Sequence, residues 1–277
     1  MINGLNIGNG NGFAINGVNR GVISGLMGIS SATKLKNIDP SLFSGPSKPT
    51  FYWNAESTVN TGYDTNISSV NGINCTQTIV INSDPIYQYD QQTNRGEISF
   101  DSNDSIYTSD CGLGGLKEFT TFIVCNIDAL QRNILWKIDS TIVDTPGDVF
   151  IQSLGTGVVE SVLYGNSSTL ISVRSFLPEV RYSTFLITAK YSLDVNKIDN
   201  PHELYINGVK NMNVFSNNYT ITSSDTFFAS PLHNGANSSF TGGGNRVLSC
   251  LVLPYWVNES EQILIENWFR NYYGYKF

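Results

Sequence analysis

Residues 203–212 read Glu203-Leu204-Tyr205-Ile206-Asn207-Gly208-Val209-Lys210-Asn211-Met212, two short β-prone runs joined by Asn-Gly. A type I′ turn needs positive φ at both central residues, and Asn followed by Gly meets that need with little strain, so the stretch predicts a two-residue β-hairpin. Short runs of the same kind, bounded by Gly, Asn, Asp or Ser, recur on both sides of it. Residues 77–81, 96–100, 119–127, 133–138, 149–154, 158–163, 170–176, 184–191 and 247–253 all read as strands. Strands do not alternate with long amphipathic helices, which argues against a parallel α/β sheet. The pattern predicts an all-β protein of two antiparallel sheets packed face to face.

One helix is expected, over 258–273. Asn258 is suited to cap it, Glu261 stands where a capping box places an acid, and Glu259 and Glu261 complement the helix dipole. Leu264, Ile265, Trp268, Phe269 and Tyr272 form an i, i+3, i+4 stripe expected to pack on the sandwich, and Gly274 ends the helix.

Upstream the character changes. Residues 1–29 carry glycine every few positions, a load no helix survives, with single apolar residues between: Leu5, Ile7, Phe13, Ile15, Val18, Val22 and Leu26. They are too sparse for a core and too apolar for a solvated linker, so the segment reads as an extended arm that docks on a neighbouring subunit, or else folds back on its own domain. Residues 30–49, with Pro40, Pro46 and Pro49, read as a connector, and 50–277 as the sandwich body with its helix.

The whole chain has 277 residues, 16 Lys+Arg against 23 Asp+Glu, a net charge of −7, and only 14% charged residues. Acidity without a basic run argues against nucleic acid as a partner. No stretch of about 18 apolar residues is present, so no membrane span is expected, and the start lacks the pattern of an export signal. The four cysteines, Cys75, Cys111, Cys125 and Cys250, form no C-x-x-C pair and are expected to be mostly buried thiols.

Several motifs then line up in order. Pro49 precedes Phe51-Tyr52-Trp53-Asn54-Ala55-Glu56; Ile98-Ser99-Phe100-Asp101-Ser102-Asn103-Asp104 and Phe119-Thr120-Thr121-Phe122 follow; Leu204-Tyr205-Ile206-Asn207-Gly208 and the final strand, helix and Tyr272-Tyr273-Gly274 complete the series. From about Phe43 to Gly274 the chain resembles the concanavalin A-like, laminin-G-like jelly rolls of tailed-bacteriophage structural proteins, although Ser102 stands where their F-D-G-x-N-D turn has glycine. The resemblance implies a fold and, with the arm, a virion component assembled in the host cytoplasm: a capsid decoration, head-fibre or tail-associated subunit, homo-oligomeric and anchored to other virion proteins. Fold alone does not fix function.

Catalytic chemistry finds no foothold. Glycoside hydrolysis needs two carboxylates on one strand face, and no E-x-D-x-E run occurs; Asp101/Asp104, Asp139/Asp144/Asp148 and Glu259/Glu261 fall in turns or at the helix start. His202 and His233 are the only histidines, without a G-x-S-x-G elbow or zinc spacing; His202, after Pro201 at a strand start, is expected at the surface. Calcium through Asp139, Asp144 and Asp148 is the nearest approach to a metal site, but no metal or cofactor is expected. Gly242-Gly243-Gly244 precedes a strand rather than a helix, so it is a loop and not a phosphate cradle. The expectation is a non-enzymatic protein. Its alternative role is host-glycan binding by an Asn/Gly-rich surface made of His233, Asn234, Asn237 and Asn245, with Tyr255 or Trp256 as the stacking face; a glycoside hydrolase with an unrecognised carboxylate pair is the third reading, ranked below it.

Overall fold

In a computed structural model the described residues are 49–57, 65–66, 80–82, 85–100, 104–108, 111–128, 132–138, 148–164, 170–177, 181–197, 201–211, 214–217, 222–227, 232–234 and 245–274. The arm residues 1–29, nearly all of the connector, Cys75, Asn237 and the Gly242–Gly244 loop lie outside them.

Two antiparallel sheets face each other. The nine-stranded sheet runs β14 (Val209–Asn211), β13 (His202–Ile206), β12 (Arg181–Ser192), β7 (Glu118–Asp128), β17 (Asn245–Leu253), β5 (Arg95–Phe100), β4 (Ile86–Asp90) and β2 (Thr65–Asn66); β1 (Phe51–Asn54) pairs with β17 past the point where β5 leaves it. The eight-stranded sheet runs β15 (Val214–Asn217), β11 (Leu170–Phe176), β10 (Val158–Tyr164), β9 (Val149–Leu154), β8 (Arg132–Ile138), β16 (Leu232–Asn234), β6 (Ser105–Thr108) and β3 (Val80–Asn82). The expected two-sheet sandwich with one C-terminal helix is therefore the observed fold.

The period of two decides what each strand buries. Phe119, Ile123, Cys125 and Ile127 of β7 join Phe185, Ile187, Ala189 and Tyr191 of β12 in the core between the sheets, against Leu135, Trp136, Val149, Ile151, Val159 and Leu163 of the other sheet. The alternate residues Phe122, Val124, Leu186, Leu251 and Leu253 point the opposite way and would be stranded in water, but α1 (Glu259–Tyr272) covers them with Ile265, Trp268 and Phe269. This second layer explains why β7 and β17 read as nearly continuous apolar runs.

Asn258 caps α1, accepting from the Glu261 N–H at 2.9 Å as the sequence predicts. The buried face differs from the expected stripe. Leu264 is 42% exposed, whereas Gln262 and Glu266 are buried. Polar partners on the sheet turn the helix that way: Glu266 Oε1 accepts from the Thr188 hydroxyl at 2.9 Å and from Gln262 Nε2 at 2.8 Å, and Oε2 lies 3.4 Å from Arg270.

The Asn207-Gly208 turn has φ of 53° and 82°, as a type I′ hairpin requires. It is also where the helix is fastened, because Arg270 donates to the Asn207 carbonyl at 2.7 Å, and a Cβ at Gly208 would come 2.6 Å from the Arg270 guanidinium. Gly208→Ala is therefore expected to destabilise by about 1–2 kcal/mol from left-handed strain alone, read as a lower urea midpoint; an unchanged midpoint would mean that the turn relaxes freely.

Two further features contradict or extend the sequence reading. His202 is not a surface residue: β13 turns it into the core, where Nε2 lies 2.9 Å from Ser161 Oγ, itself 2.7 Å from the Tyr191 hydroxyl. At the opposite flank the β4–β5 hairpin leans over the outer face of its own sheet. Asp90 accepts from the Thr93 N–H at 3.0 Å inside the turn and from Asn126 Nδ2 at 3.3 Å and the Thr184 hydroxyl at 3.2 Å on β7 and β12. Glu97 is sealed beneath, its Oε1 accepting from Gln88 at 2.8 Å and Arg246 at 3.1 Å.

Candidate functional site

Beside the helix, the outer face of the nine-stranded sheet changes from apolar to charged and aromatic. The register places Lys190 of β12 opposite Glu203 of β13, and Tyr205 opposite Lys210 of β14, all on the outward side. Trp256 comes over them from the segment between β17 and α1. The Thr120 hydroxyl clamps that segment, donating to the Tyr255 carbonyl at 2.9 Å and accepting from the Val257 N–H at 3.0 Å, so the residue between is held at a fixed height. The turn after β12 brings Lys197, whose N–H donates to the Asp194 carbonyl at 2.9 Å.

The result is a row in which cations and rings alternate. Lys197 Nζ is 4.3 Å from the Trp256 ring centre; Lys190 Nζ is 5.6 Å from Trp256 and 5.2 Å from Tyr205; Lys210 Nζ is 5.9 Å from Tyr205. These are cation–π distances. Carboxylates fix the cations: Glu118 lies 2.5 Å from Lys197, and Glu203 holds Lys190 at 3.5 Å, Lys210 and the Tyr205 hydroxyl at 2.8 Å. Lys190 is almost wholly buried while Trp256, Tyr205 and Lys197 are half-exposed, so the row has a rigid middle and open ends. Burial lowers the Lys190 ammonium from its usual pKa, with Glu203 opposing the shift, and raises the Tyr205 phenol, helped by its hydrogen bond to Glu203.

The arrangement suits a polyhydroxylated ligand. A half-exposed indole offers an apolar face to the C–H side of a sugar ring, and neighbouring ammonium and carboxylate groups supply donors and acceptors for its hydroxyls.

The residues proposed from sequence are not gathered in one place. Asn245 opens β17 and Tyr255 and Trp256 follow its far end, so an extended nine-residue strand separates them by about 30 Å. His233 and Asn234 lie in β16 of the other sheet. Tyr255 is half-exposed, but its hydroxyl is committed to Glu261 at 2.7 Å and braces the first turn of the helix. Of the two, Trp256 is the ring whose position over the lysine row leaves it partly exposed. Sequence reading missed Lys190, Lys197, Glu203, Tyr205 and Lys210, because no local motif joins residues from four separate elements.

Other chemistry finds little support among the described residues. No group of three or more His, Cys, Asp or Glu could hold a metal there, and of the aspartates considered for calcium only Asp148 is described, buried. Cys111, Cys125 and Cys250 are buried as expected, and burial pushes the Cys125 thiol up from its usual value. Ser161, His202 and Tyr191 are sealed between the sheets, out of reach of any substrate. No helix of the described residues is long and apolar enough to cross a membrane.

No protein-family model matches the chain. No curated protein sequence matches it either. Solved structures do. The receptor binding domain of botulinum neurotoxin mosaic serotype C/D aligns with a TM-score of 0.55 at 8% identity, over 79% of this chain and 50% of that one. The serotype G binding domain gives 0.54 at 13% identity, over 81% and 51%. The serotype D ligand binding domain, in complex with N-acetylneuraminic acid, gives 0.52 at 10% identity, over 77% and 51%. At such identities the likeness shows the fold, an all-β two-sheet sandwich shared with those binding domains. The chain spans about half the length of the structures it matches, and none of the matches described here is a bacteriophage protein.

Proposed function

We propose that this chain is a non-enzymatic carbohydrate-recognition module that stacks a sugar on Trp256. The observation that carries the reading is the half-exposed indole, held by the Thr120 clamp and flanked by Lys190 and Lys197. It is supported by the fold shared with binding domains, one of them in complex with a sugar acid. Tethering to a bacteriophage virion through Leu5, Ile7, Phe13 and the rest of the arm extends the proposal and rests on the sequence alone.

A labelled full chain applied to a glycan array is expected to bind a restricted set of glycans, and Trp256→Ala to weaken that binding about tenfold or more, the size of one lost stacking contact. Binding to no glycan, or binding that Trp256→Ala leaves intact with an unchanged circular dichroism spectrum, would overturn the reading.

A further inference from the structure

The charge balance along the row narrows the ligand, given the reading of Trp256 as a sugar platform. Two of the acids here have their own cation: Glu118 is matched by Lys197, and Glu266, which Lys190 also senses, by Arg270. Glu259, the other acid that Tyr205 senses, sits in the first turn of α1, where the helix dipole opposes its charge. Glu203 is different because it is shared. Its Oε1 receives Lys210, while its Oε2 takes the Tyr205 hydroxyl at 2.8 Å and lies 3.5 Å from Lys190. One carboxylate therefore faces two ammonium groups, and the Lys190 side chain is only 3% exposed, so water screens it poorly.

We propose that the row takes an acidic glycan, a sugar bearing a carboxylate, with its ring on Trp256 and its acid group at the Lys210 end, within the field of Lys190. The ligand carboxylate completes the second ion pair that Glu203 cannot make alone. A neutral sugar gains the stacking but brings no second carboxylate for the two ammonium groups that share Glu203. The site remains selective in a chain of net charge −7, because the attraction is local and the bulk of the surface repels anions.

The test compares a sialylated lactose with lactose, its neutral core, titrated into the full chain by calorimetry. The sialylated sugar is expected to bind about tenfold more tightly, as one charge-assisted hydrogen bond allows. That advantage should shrink when ionic strength rises from about 0.1 M to about 1 M, where the Debye length falls from ~10 Å to ~3 Å. Lys210→Met should remove most of it, with the fold checked by circular dichroism. Equal affinity for the two sugars, or an advantage that survives Lys210→Met, overturns the acidic preference and leaves the platform standing. Binding of neither sugar, together with an array on which Trp256→Ala and the unsubstituted chain behave alike, overturns both.

Discussion

Phe119→Ala should lower the unfolding free energy by about 3–5 kcal/mol, the range for truncating a buried aromatic without refilling its space. Phe119 is fully buried at the middle of the sandwich, stacked on Tyr191 with ring centres 4.8 Å apart, edge-on to Phe227 at 4.8 Å and 6.1 Å from Trp136. It joins β7 and β12 to the loop residue Phe227 and, through Trp136, to β8 of the opposite sheet, so no single element can slide in to close the gap. The loss also loosens Tyr191, which positions Ser161 and packs 4.7 Å from the His202 ring. Urea unfolding checks this, and a change under about 1 kcal/mol would mean that the aromatic cluster is less tightly packed than its ring distances require.

The second large effect concerns acidity. Burial pushes Glu97 up to about 7 from 4.5, despite Arg246 and with Asp90 adding to the rise, while burial drives His202 down to about 3 from 6.5, with Glu203 opposing. Between pH 4.5 and 7 the folded chain holds the Glu97 proton that the unfolded chain has released, so that group's contribution to stability falls as pH rises. Between pH 3 and 6.5 the unfolded chain holds a proton on His202 that the folded chain lacks, so that contribution climbs as pH rises. Each slope is about 1.4 kcal/mol per pH unit. They oppose one another from pH 4.5 to 6.5.

Glu97→Gln should therefore tilt the profile upward with pH across that window relative to the unsubstituted protein, and His202→Gln should tilt it downward. The difference between variant and parent isolates each slope, since all other titrating groups are common to both. Urea titrations at half-unit steps from pH 4.5 to 7 measure it. Two difference profiles that stay flat would show that neither group changes its proton affinity on folding.

Much of the fold is legible from local chemistry. Asn207-Gly208 can make only one kind of tight turn, and the Asn258 cap with Glu261 marks a helix start regardless of what surrounds it. What escapes the sequence depends on distant partners. His202 looks like a surface residue beside Pro201 because Ser161, which accepts it into the core, is forty-one positions away on the other sheet. Leu264 looks buried until Thr188 and Arg270 draw Glu266 toward the sheet instead. The β4 strand, Ile86–Asp90, carries Gln88 and Asp90 to anchor a hairpin over its own sheet, and that polar duty hides its strand pattern. For the candidate site, Trp256 is legible as an aromatic near a strand end. Its lysine neighbours become visible only once β12, β13 and β14 are laid side by side, and Asn245 could be separated from it only by treating β17 as fully extended.

The placement of β17 also bears on how the protein is made. It is the final strand of the sandwich, yet it lies inside the nine-stranded sheet, bonded to β7 on one side and to β5 and β1 on the other, with Trp53 opposite Cys250. A ribosome that has synthesised everything up to β16 therefore holds this sheet in separate pieces, β14-β13-β12-β7 and β5-β4-β2, with β1 still lacking its β17 partner, and open edges and uncovered apolar residues between them. Only when β17 has cleared the exit tunnel can the pieces join through it. The pairing of β17 is thus non-local on both sides, the kind of contact that forms late, and until it forms the open edges of β7 and β5 are the places where the nascent chain can pair with a neighbour.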